Sequence, residues 1–180
     1  MRFELPVLAL VAVLAGCSSS DGNGLVDPPP VTGDPLALSA ISTGDEHTCG
    51  LAPGGAAFCW GNGEHGELGQ GLQANARVGI AVAGGVLFSA ISSGDDHTCG
   101  RAVSGVVHCW GGNSDSQLGD GTTEAHSAPA PLEGSPVFES LSAGRLHTCA
   151  LAADGAAFCW GRNDEGQIGD GTLMDRRRPT

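Results

Sequence analysis

Six of the seven cysteines are arranged in three pairs, and a histidine precedes each pair. Within a pair the cysteines are ten residues apart, and the histidine stands two residues before the first: His47, Cys49 and Cys59; His97, Cys99 and Cys109; His147, Cys149 and Cys159. Two thiols can be oxidised to a disulfide, whereas thiolates and an imidazole can ligate Zn²⁺. Which chemistry applies depends on the elements that carry these side chains.

The cysteine pairs belong to a repeat with a period of 50 residues. Three motifs recur in the same register: Gly-x-x-His-Thr-Cys from Gly44, Gly94 and Gly144; Cys-Trp-Gly from Cys59, Cys109 and Cys159; and a glycine-rich motif from Leu68, Leu118 and Ile168. Such self-similarity at a fixed period is typical of solenoids and propellers. The sequence therefore predicts three structural units, at 36–85, 86–135 and 136–180.

Each unit is predicted to contain about four short antiparallel strands. In the second unit, apolar segments at 88–92, 97–103 and 106–110 are separated by glycine-rich turns, and no window has a helical period. About four strands in 50 residues is the size of a β-propeller blade, which buries its faces only against neighbouring blades. We expect an all-β fold of propeller blades. A parallel β-helix is the alternative, although its repeats are shorter.

Equivalent positions in the three units carry the side chains expected in the core. They form two sets: Leu38, Phe88 and Phe138; and Ile41, Ile91 and Leu141. The tryptophans also share one slot in the repeat: Trp60, Trp110 and Trp160. We expect these large side chains to pack between blades rather than to form a platform for a ligand.

The combined motifs resemble the repeats of the regulator of chromosome condensation, a β-propeller family. The resemblance extends over 36–180 and is closest in the third unit, which reads Trp160-Gly161-Arg162-Asn163-Asp164-Glu165-Gly166-Gln167-Ile168-Gly169. It implies a scaffold that binds other proteins. Cysteines beside the His-Thr step and before the tryptophan depart from the eukaryotic pattern. The chain therefore looks like an exported bacterial variant, which is inconsistent with a nuclear role.

The residues midway between the paired cysteines favour the disulfide. Turn-forming residues stand there in every unit: Pro53-Gly54-Gly55, Ser104-Gly105 and Asp154-Gly155. In a hairpin centred on such a turn the two cysteines face each other at a distance that a disulfide accepts. Six cysteines allow 15 pairings, but the repeat selects the local one. We predict the bridges Cys49–Cys59, Cys99–Cys109 and Cys149–Cys159.

Zinc bound by His47, Cys49 and Cys59, or by their equivalents, is the alternative interpretation. An oxidising compartment favours the bridge, so we expect no metal ion and no cofactor. The three histidines recur in every unit, which is typical of architecture. They are predicted to be structural imidazoles that hydrogen-bond the backbone inside their own blade.

Two loops, at 113–117 and 163–167, are rich in the oxygen ligands that Ca²⁺ prefers. They lack the spacing of a known calcium loop, and their Asn, Asp, Ser and Gly residues are also those of tight turns. Turn formation is therefore the simpler interpretation of both loops.

The first residues are predicted to be an export signal. Residues 5–16 form an apolar run behind Arg2, which is too short to span a bilayer as a helix. The run ends Leu14-Ala15-Gly16-Cys17, which resembles the lipobox of bacterial lipoproteins. We expect a signal peptide at 1–16, lipidation of Cys17 and a flexible tether at 17–35. An ordinary secretory peptide with a free Cys17 is the alternative. The expected location is the cell envelope, at the outer membrane or surface of a bacterium.

The excess of acidic residues restricts the kinds of molecule that the protein can bind. The 180 residues include 30 glycines and 20 acidic side chains against 8 basic ones, a formal charge of −12. This charge repels nucleic acid, so we expect no nucleic-acid partner. The sequence contains no nucleophile elbow, no phosphate-binding loop and no unique acid–base pair, so we predict that the protein is not an enzyme.

If recurring residues build the architecture, function is expected where the units differ. Those positions were predicted to lie in loops, at 64–67 and 72–77 in the first unit, at His108 and 124–126 in the second, and at 145–146 in the third. The predicted function is an envelope-anchored scaffold that binds an extracellular or periplasmic protein. A structural envelope component and a metal-dependent enzyme are the alternatives.

Three units are too few to close a propeller ring. The third unit is shorter than the others, whose last strand continues for several more residues, so we expect that the chain is the front part of a longer propeller; the alternative is that two chains form a six-bladed ring. An open arc would be prone to self-association through its free edge.

Overall fold

The computed structural model describes residues 36–180. The predicted signal peptide at 1–16, the lipidation site Cys17 and the tether at 17–35 lie outside the described residues. Within the described range, none of the helical segments has the length and apolar character needed to cross a bilayer.

The described residues form three antiparallel sheets, one in each repeat. The first contains β1 Ala40–Thr43, β2 His47–Leu51, β3 Ala57–Gly61 and β4 Ala76–Ala81. The second contains β5 Phe88–Ser93, β6 His97–Ala102, β7 Val107–Gly111 and β8 His126–Pro131. The third contains β9 Phe138–Ala143, β10 His147–Ala152 and β11 Ala157–Gly161. A single 3-10 turn in this part of the chain, Ala83–Gly85, lies between the first two sheets. The predicted all-β architecture of blades is confirmed, and the three blades form an open arc.

The central hairpin of each blade is closed by a tight turn. In the first blade the turn between β2 and β3 is closed by a hydrogen bond from Gly55 N–H to Ala52 O (2.9 Å). Gly54 and Gly55 both have positive φ, of 98° and 93°. Glycine adopts this conformation without steric cost, which is why the turn can be so short. The resulting register places Cys49 directly opposite Cys59.

The third sheet has three named strands, but the chain continues along its open edge. Arg176 N–H donates to Gly161 O (3.0 Å), and Cys159 N–H donates to Thr180 O (2.9 Å). These are the positions at which Ala76 and Ile80 pair with Gly61 and Cys59 in the first blade. Residues 176–180 therefore follow the course of a fourth strand, although the third sheet has three named strands where the first two have four.

Consecutive blades meet along their first strands, β1, β5 and β9. Ser93 N–H donates to Ser42 Oγ, and Ala143 N–H donates to Ser92 Oγ, both at 2.9 Å. These hydroxyls therefore connect each blade to the next along the inner edge of the arc.

The hydrophobic core lies between the blades rather than inside one sheet. Phe88 of the second blade packs with Trp110 against the buried residues of the first, and Phe138 packs with Trp160 against those of the second. Ile91 and Leu141 are half-buried in the same two interfaces. Ile41, their equivalent in the first blade, is 63% exposed, so its expected core role is wrong. The reason is that no described blade precedes the first.

Candidate functional site

The recurring histidines connect one blade to the next. His47 Nε2 lies 2.8 Å from Thr98 Oγ1, and the equivalent pair, His97 and Thr148, is separated by 2.9 Å. Successive side chains of a strand point to opposite faces, so within each His-Thr step the histidine faces the following blade and the threonine faces the preceding one. The histidines are structural, as predicted, but the prediction of a backbone partner in their own blade is wrong.

The threonine hydroxyl decides which nitrogen of the imidazole is protonated. Thr98 Oγ1 donates its only proton to Glu67 O (3.1 Å), so the Nε2–H of His47 must donate to Thr98. His47 Nδ1 is buried and without a partner in the described residues. Desolvation by burial lowers the pKa of His47 to about 4, although a backbone hydrogen bond to Asp95 acts in the opposite direction. Burial likewise lowers the pKa of His97 to about 3. Both imidazoles are therefore neutral at pH 7.

The tryptophans anchor the same interfaces, which confirms the predicted inter-blade packing. Trp110 Nε1–H donates to Glu67 O of the first blade (2.8 Å), and Trp160 Nε1–H donates to Gln117 O of the second (2.9 Å). Both side chains are fully buried. Trp60, whose preceding blade is not among the described residues, is only half-buried.

Each cysteine pair forms a disulfide in the predicted pairing: Cys49–Cys59, Cys99–Cys109 and Cys149–Cys159. The Cα atoms of each pair are 4.1 Å apart. Because the sulfur atoms are bonded to each other, they do not offer the thiolates that the alternative zinc interpretation requires.

The loops at 113–117 and 163–167, for which calcium binding was the alternative, are stabilised by hydrogen bonds within tight turns, as predicted. Asn113 Oδ1 accepts from Leu118 N–H (3.0 Å) and its Nδ2 donates to Glu124 O (3.0 Å). Asn163 makes the equivalent bonds to Ile168 and Met174. The side-chain oxygen of each buried asparagine is thus used within its own loop.

Two of the residues that differ among units also have structural roles. His108 lies in β7 and meets the ring of Phe88 edge-on, with the ring centroids 6.0 Å apart. His126 begins β8, and its Nε2 lies 2.7 Å from Asp120 Oδ2, where the third repeat pairs Arg176 with Asp170. The expectation that all the variable positions lie in loops is therefore wrong for His108, for His126 and for Arg77, which belongs to β4.

The variable acidic residues gather on one face of the arc, which we call the long-loop face. It is formed by the turns at 43–46, 93–96 and 143–146 and by the loops at 62–75, 112–125 and 162–175. Its partly or fully exposed carboxylates are Asp45, Glu46, Glu64, Asp95, Asp96, Asp115, Asp120, Glu124, Asp164, Glu165, Asp170 and Asp175. In the described segments of this face the arginines are Arg145 and Arg162, and Arg176, directly after the loop at 162–175, pairs with Asp170.

The opposite face has a different chemistry, and we call it the short-turn face. It comprises the turns at 52–56, 102–106 and 152–156 and the connections at 82–87 and 132–137. In these described segments the charged side chains are Glu133 and Asp154. The exposed large apolar side chains there are Leu87, Val103, Val106 and Val137. The two faces of the arc therefore present opposite kinds of surface to a partner.

The inner turns of the long-loop face line a shallow, open concavity of about 400 Å³. It is lined by equivalent residues of the three repeats: Thr43, Gly44, Asp45; Ser93, Gly94, Asp95; Ala143, Gly144, Arg145. Arg145 Nε donates to Asp95 Oδ2 (2.6 Å), and this hydrogen bond, with the charges of Asp95 and Asp45, raises the pKa of the guanidinium. The concavity is lined by two carboxylates, Asp45 and Asp95, and one guanidinium, Arg145, so it keeps a surplus of negative charge.

Comparison with known proteins identifies the repeat. The family model described as regulator of chromosome condensation (RCC1) repeat matches residues 54–100 and 104–151, and a second model of the same description matches 39–67, 88–117 and 138–167. No curated protein matches the sequence.

Solved structures share the fold at low sequence identity. Prp20p from Saccharomyces cerevisiae is 23% identical with a TM-score of 0.69, covering 79% of this chain and 37% of that one. The same yeast protein in complex with Kap60 is 22% identical, again with a TM-score of 0.69, covering 79% and 36%. Human WBSCR16 is 20% identical with a TM-score of 0.70, covering 79% and 37%. The chain thus spans little more than a third of these structures. Its repeats, matched by the family model over more than half of its length, show that the chain belongs to the regulator of chromosome condensation (RCC1) repeat family.

Proposed function

We propose that this protein is a non-catalytic β-propeller scaffold that is anchored in a bacterial cell envelope and binds another protein through its long-loop face. The observation that carries the proposal is the separation of charge between the two faces, with carboxylates surrounding the concavity at the inner turns. Variable, charged loops on a rigid repeat scaffold are a common arrangement for recognition.

The solved relatives support protein binding as the use of this fold. Prp20p is described with its binding properties to Gsp1p and histones, and the second yeast structure is a complex with Kap60. Those partners belong to the longer relatives. What we carry to this chain is the general role of a protein-binding scaffold, since fold alone does not transfer a specific partner.

The charge of the face defines the kind of partner. A surface rich in carboxylates attracts lysine and arginine side chains and repels phosphates. We therefore propose a partner in the periplasm or outside the cell whose contact surface is basic. Electrostatic attraction of this kind accelerates association and weakens as salt is added.

The proposed location rests on the N-terminal sequence. Leu14-Ala15-Gly16-Cys17 supports lipidation of Cys17 after removal of 1–16, and 17–35 would hold the blades away from the membrane. The disulfides support the same location, because such bonds persist in oxidising compartments.

The test compares three forms of the anchored protein. A long-loop variant carries Asp45→Asn, Glu64→Gln and Glu165→Gln, whose carboxylates make no side-chain hydrogen bond within the described residues. A matched short-turn variant carries Glu133→Gln and Asp154→Asn. A photo-reactive amino acid at position 124 of the long-loop face is crosslinked in intact cells, and mass spectrometry identifies the crosslinked partner. The affinity of each form of the protein for this partner is then measured at low and at high salt.

We expect one saturable adduct whose binding weakens with salt. Three exposed charges at roughly 0.5 kcal/mol each predict about tenfold weaker binding for the long-loop variant and little change for the short-turn variant. Equal effects of the two variants would contradict binding through this face. Diffuse crosslinking without a saturable partner would favour the alternative of a structural envelope component.

A further inference from the structure

Three side chains with metal-binding groups converge where the first two blades meet. His65 and Glu67 lie in the loop between β3 and β4 of the first blade, and Asp96 lies in the turn between β5 and β6 of the second. His65 Nδ1 is 4.0 Å from Glu67 Oε1 and 3.8 Å from Asp96 Oδ1. The three ligand atoms all lie within 4.8 Å of one another.

Glu67 is an unusual member of this cluster because its side chain is only 2% exposed. Its Oε2 accepts a hydrogen bond from His65 N–H (2.8 Å). Its Oε1 accepts no hydrogen bond from the described residues and faces the imidazole. A carboxylate that is held in a largely buried position with one oxygen aimed at an imidazole is a favourable ligand for a cation between the two groups.

The architecture of the blade does not require that second oxygen. In the next repeat the same slot holds Gln117, which is equally buried, and its Oε1 accepts from Asp115 N–H (3.0 Å). One acceptor oxygen is therefore enough to hold the loop. The equivalents of the cluster at the second interface are Asp115, Gln117 and Leu146, which do not form a set of metal ligands.

Gly112 leaves Asp96 available to the cluster. In the first blade the equivalent carboxylate, Glu46, accepts a hydrogen bond from Asn62 Nδ2 (2.8 Å). In the second blade the position of Asn62 is taken by Gly112, which has no side chain to donate. A Cβ atom at Gly112 would lie only 3.2 Å from the Cβ of Asp96, so the glycine also makes room for that side chain.

We infer that His65, Glu67 and Asp96 form a Zn²⁺ site that joins the first blade to the second. One imidazole and two carboxylates are ligands that zinc accepts at about 2.0–2.2 Å, with water in the fourth position. Calcium prefers oxygen ligands alone, so the histidine favours zinc. The side chains of His65 and Asp96 are 55% and 46% exposed and can rotate to close the remaining distance. Glu67, held by the backbone of His65, is the fixed ligand.

The test measures zinc binding to the mature, tag-free protein with its disulfides intact. Zn²⁺ alone is titrated at pH 7 by isothermal calorimetry into the wild type, His65→Ala and Glu67→Gln. The glutamine variant restores the residue of the other two repeats and is therefore expected to fold. Asp115→Ala, at the equivalent of His65 in the second interface, is the matched control, and circular dichroism verifies the fold of each variant.

We expect the wild type to bind one Zn²⁺ per chain. Mutation of a residue that only supports a metal ligand typically lowers metal affinity 10–100-fold. Loss of a ligand itself should therefore weaken Zn²⁺ binding by about 100-fold or more in His65→Ala and in Glu67→Gln. Asp115→Ala should bind as the wild type does. The inference is overturned if the wild type binds no zinc at this stoichiometry, if Glu67→Gln keeps its affinity, or if the control loses it equally.

Discussion

At the scale of single residues, the interfaces between blades depend on polar groups that are satisfied across the interface. A neutral histidine donates to a threonine of the next blade, and that threonine donates back to a backbone carbonyl of the first. Leaving either group buried without its partner would cost about 1–3 kcal/mol. The polar residues thus specify how the blades align, while the aromatic residues supply the buried area.

This arrangement predicts that the protein loses stability on mild acidification. The unfolded chain protonates its histidines near pH 6.5, whereas burial holds the pKa of His47 at about 4 and that of His97 at about 3. The unfolded state therefore binds more protons below pH 6.5, and the free energy of unfolding is full above that pH and falls below it. We expect a loss of roughly 2 kcal/mol per histidine by pH 5, measured by urea unfolding between pH 7.5 and 5.

His97→Gln separates this effect from general acid sensitivity. The variant removes one of the two histidines with the largest shifts, while burial also lowers the pKa of His147, so the slope of unfolding free energy against pH should fall by roughly a third to a half, whatever the stability at pH 7. An unchanged slope would show that other groups control the acid response.

The sequence alone indicated that the recurring histidines, cysteines and tryptophans are structural, because they repeat with the 50-residue period. It did not indicate the hydrogen-bond partner of each histidine, since the period and the strand pattern do not show which face of a blade contacts the next blade. A signal was nevertheless present: His47 and Thr48 are adjacent, and adjacent strand residues face opposite sides. At position 67, glutamate replaces the glutamine of the other units. Only the structure shows that this position is buried.

At the scale of elements, the Cys-Trp-Gly strands of the second and third blades are held by the loop of the preceding blade. Gly69 and Gly119 approach Trp110 and Trp160 so closely that a Cβ atom at either glycine would lie 2.7 Å and 2.5 Å from the indole Nε1. The tryptophan, the glycine and the accepting carbonyl therefore form one interlocking contact at each interface.

The three tryptophans provide an internal comparison for the strength of this contact. Trp110→Phe removes the indole N–H that bonds Glu67 O and leaves a small cavity, so we expect the free energy of unfolding to fall by about 2–4 kcal/mol. Trp60→Phe is the matched control, because Trp60 is half-buried and makes no such bond within the described residues. Its cost should stay below about 1 kcal/mol in the same denaturant titration. Equal costs would mean that the inter-blade bond contributes little.

The strands themselves were predictable because glycine-rich turns separate short apolar segments. β5, β6 and β7 begin and end within a residue or two of the predicted segments. The fourth strands were harder to place: β4 and β8 follow long loops, and β8 contains proline, which is unfavourable in strands. Their positions are determined by pairing with β3 and β7, which is a tertiary effect.

At the scale of the whole molecule, the seven cysteines separate into two groups with different expected chemistry. Six are paired within the blades, while Cys17 lies in the N-terminal region. We predict that mature protein from a membrane fraction lacks residues 1–16, carries acyl chains on Cys17 and exposes six alkylatable thiols only after reduction. Intact and peptide mass spectrometry with and without reductant measures all three features.

Cys17→Ser is the companion experiment. The variant should leave the membrane fraction and keep all three disulfides, because the blades do not depend on the anchor. If Cys17 of the wild type is alkylated without reduction, the chain has an ordinary secretory signal and the anchoring proposal is wrong.

Different residues form the two sides of each contact between consecutive blades. Ser42 and Ser92 each accept an amide N–H from the following blade, whereas His47 and His97 each donate to a threonine of the following blade. The two ends of the arc are therefore unlike: one presents Thr48 and Trp60, the other His147. Such ends are complementary to each other but not to themselves, as in a polar filament. A further blade, whether from the same chain or from another copy, can join this arc only head to tail, and a two-fold symmetric dimer through like ends is disfavoured.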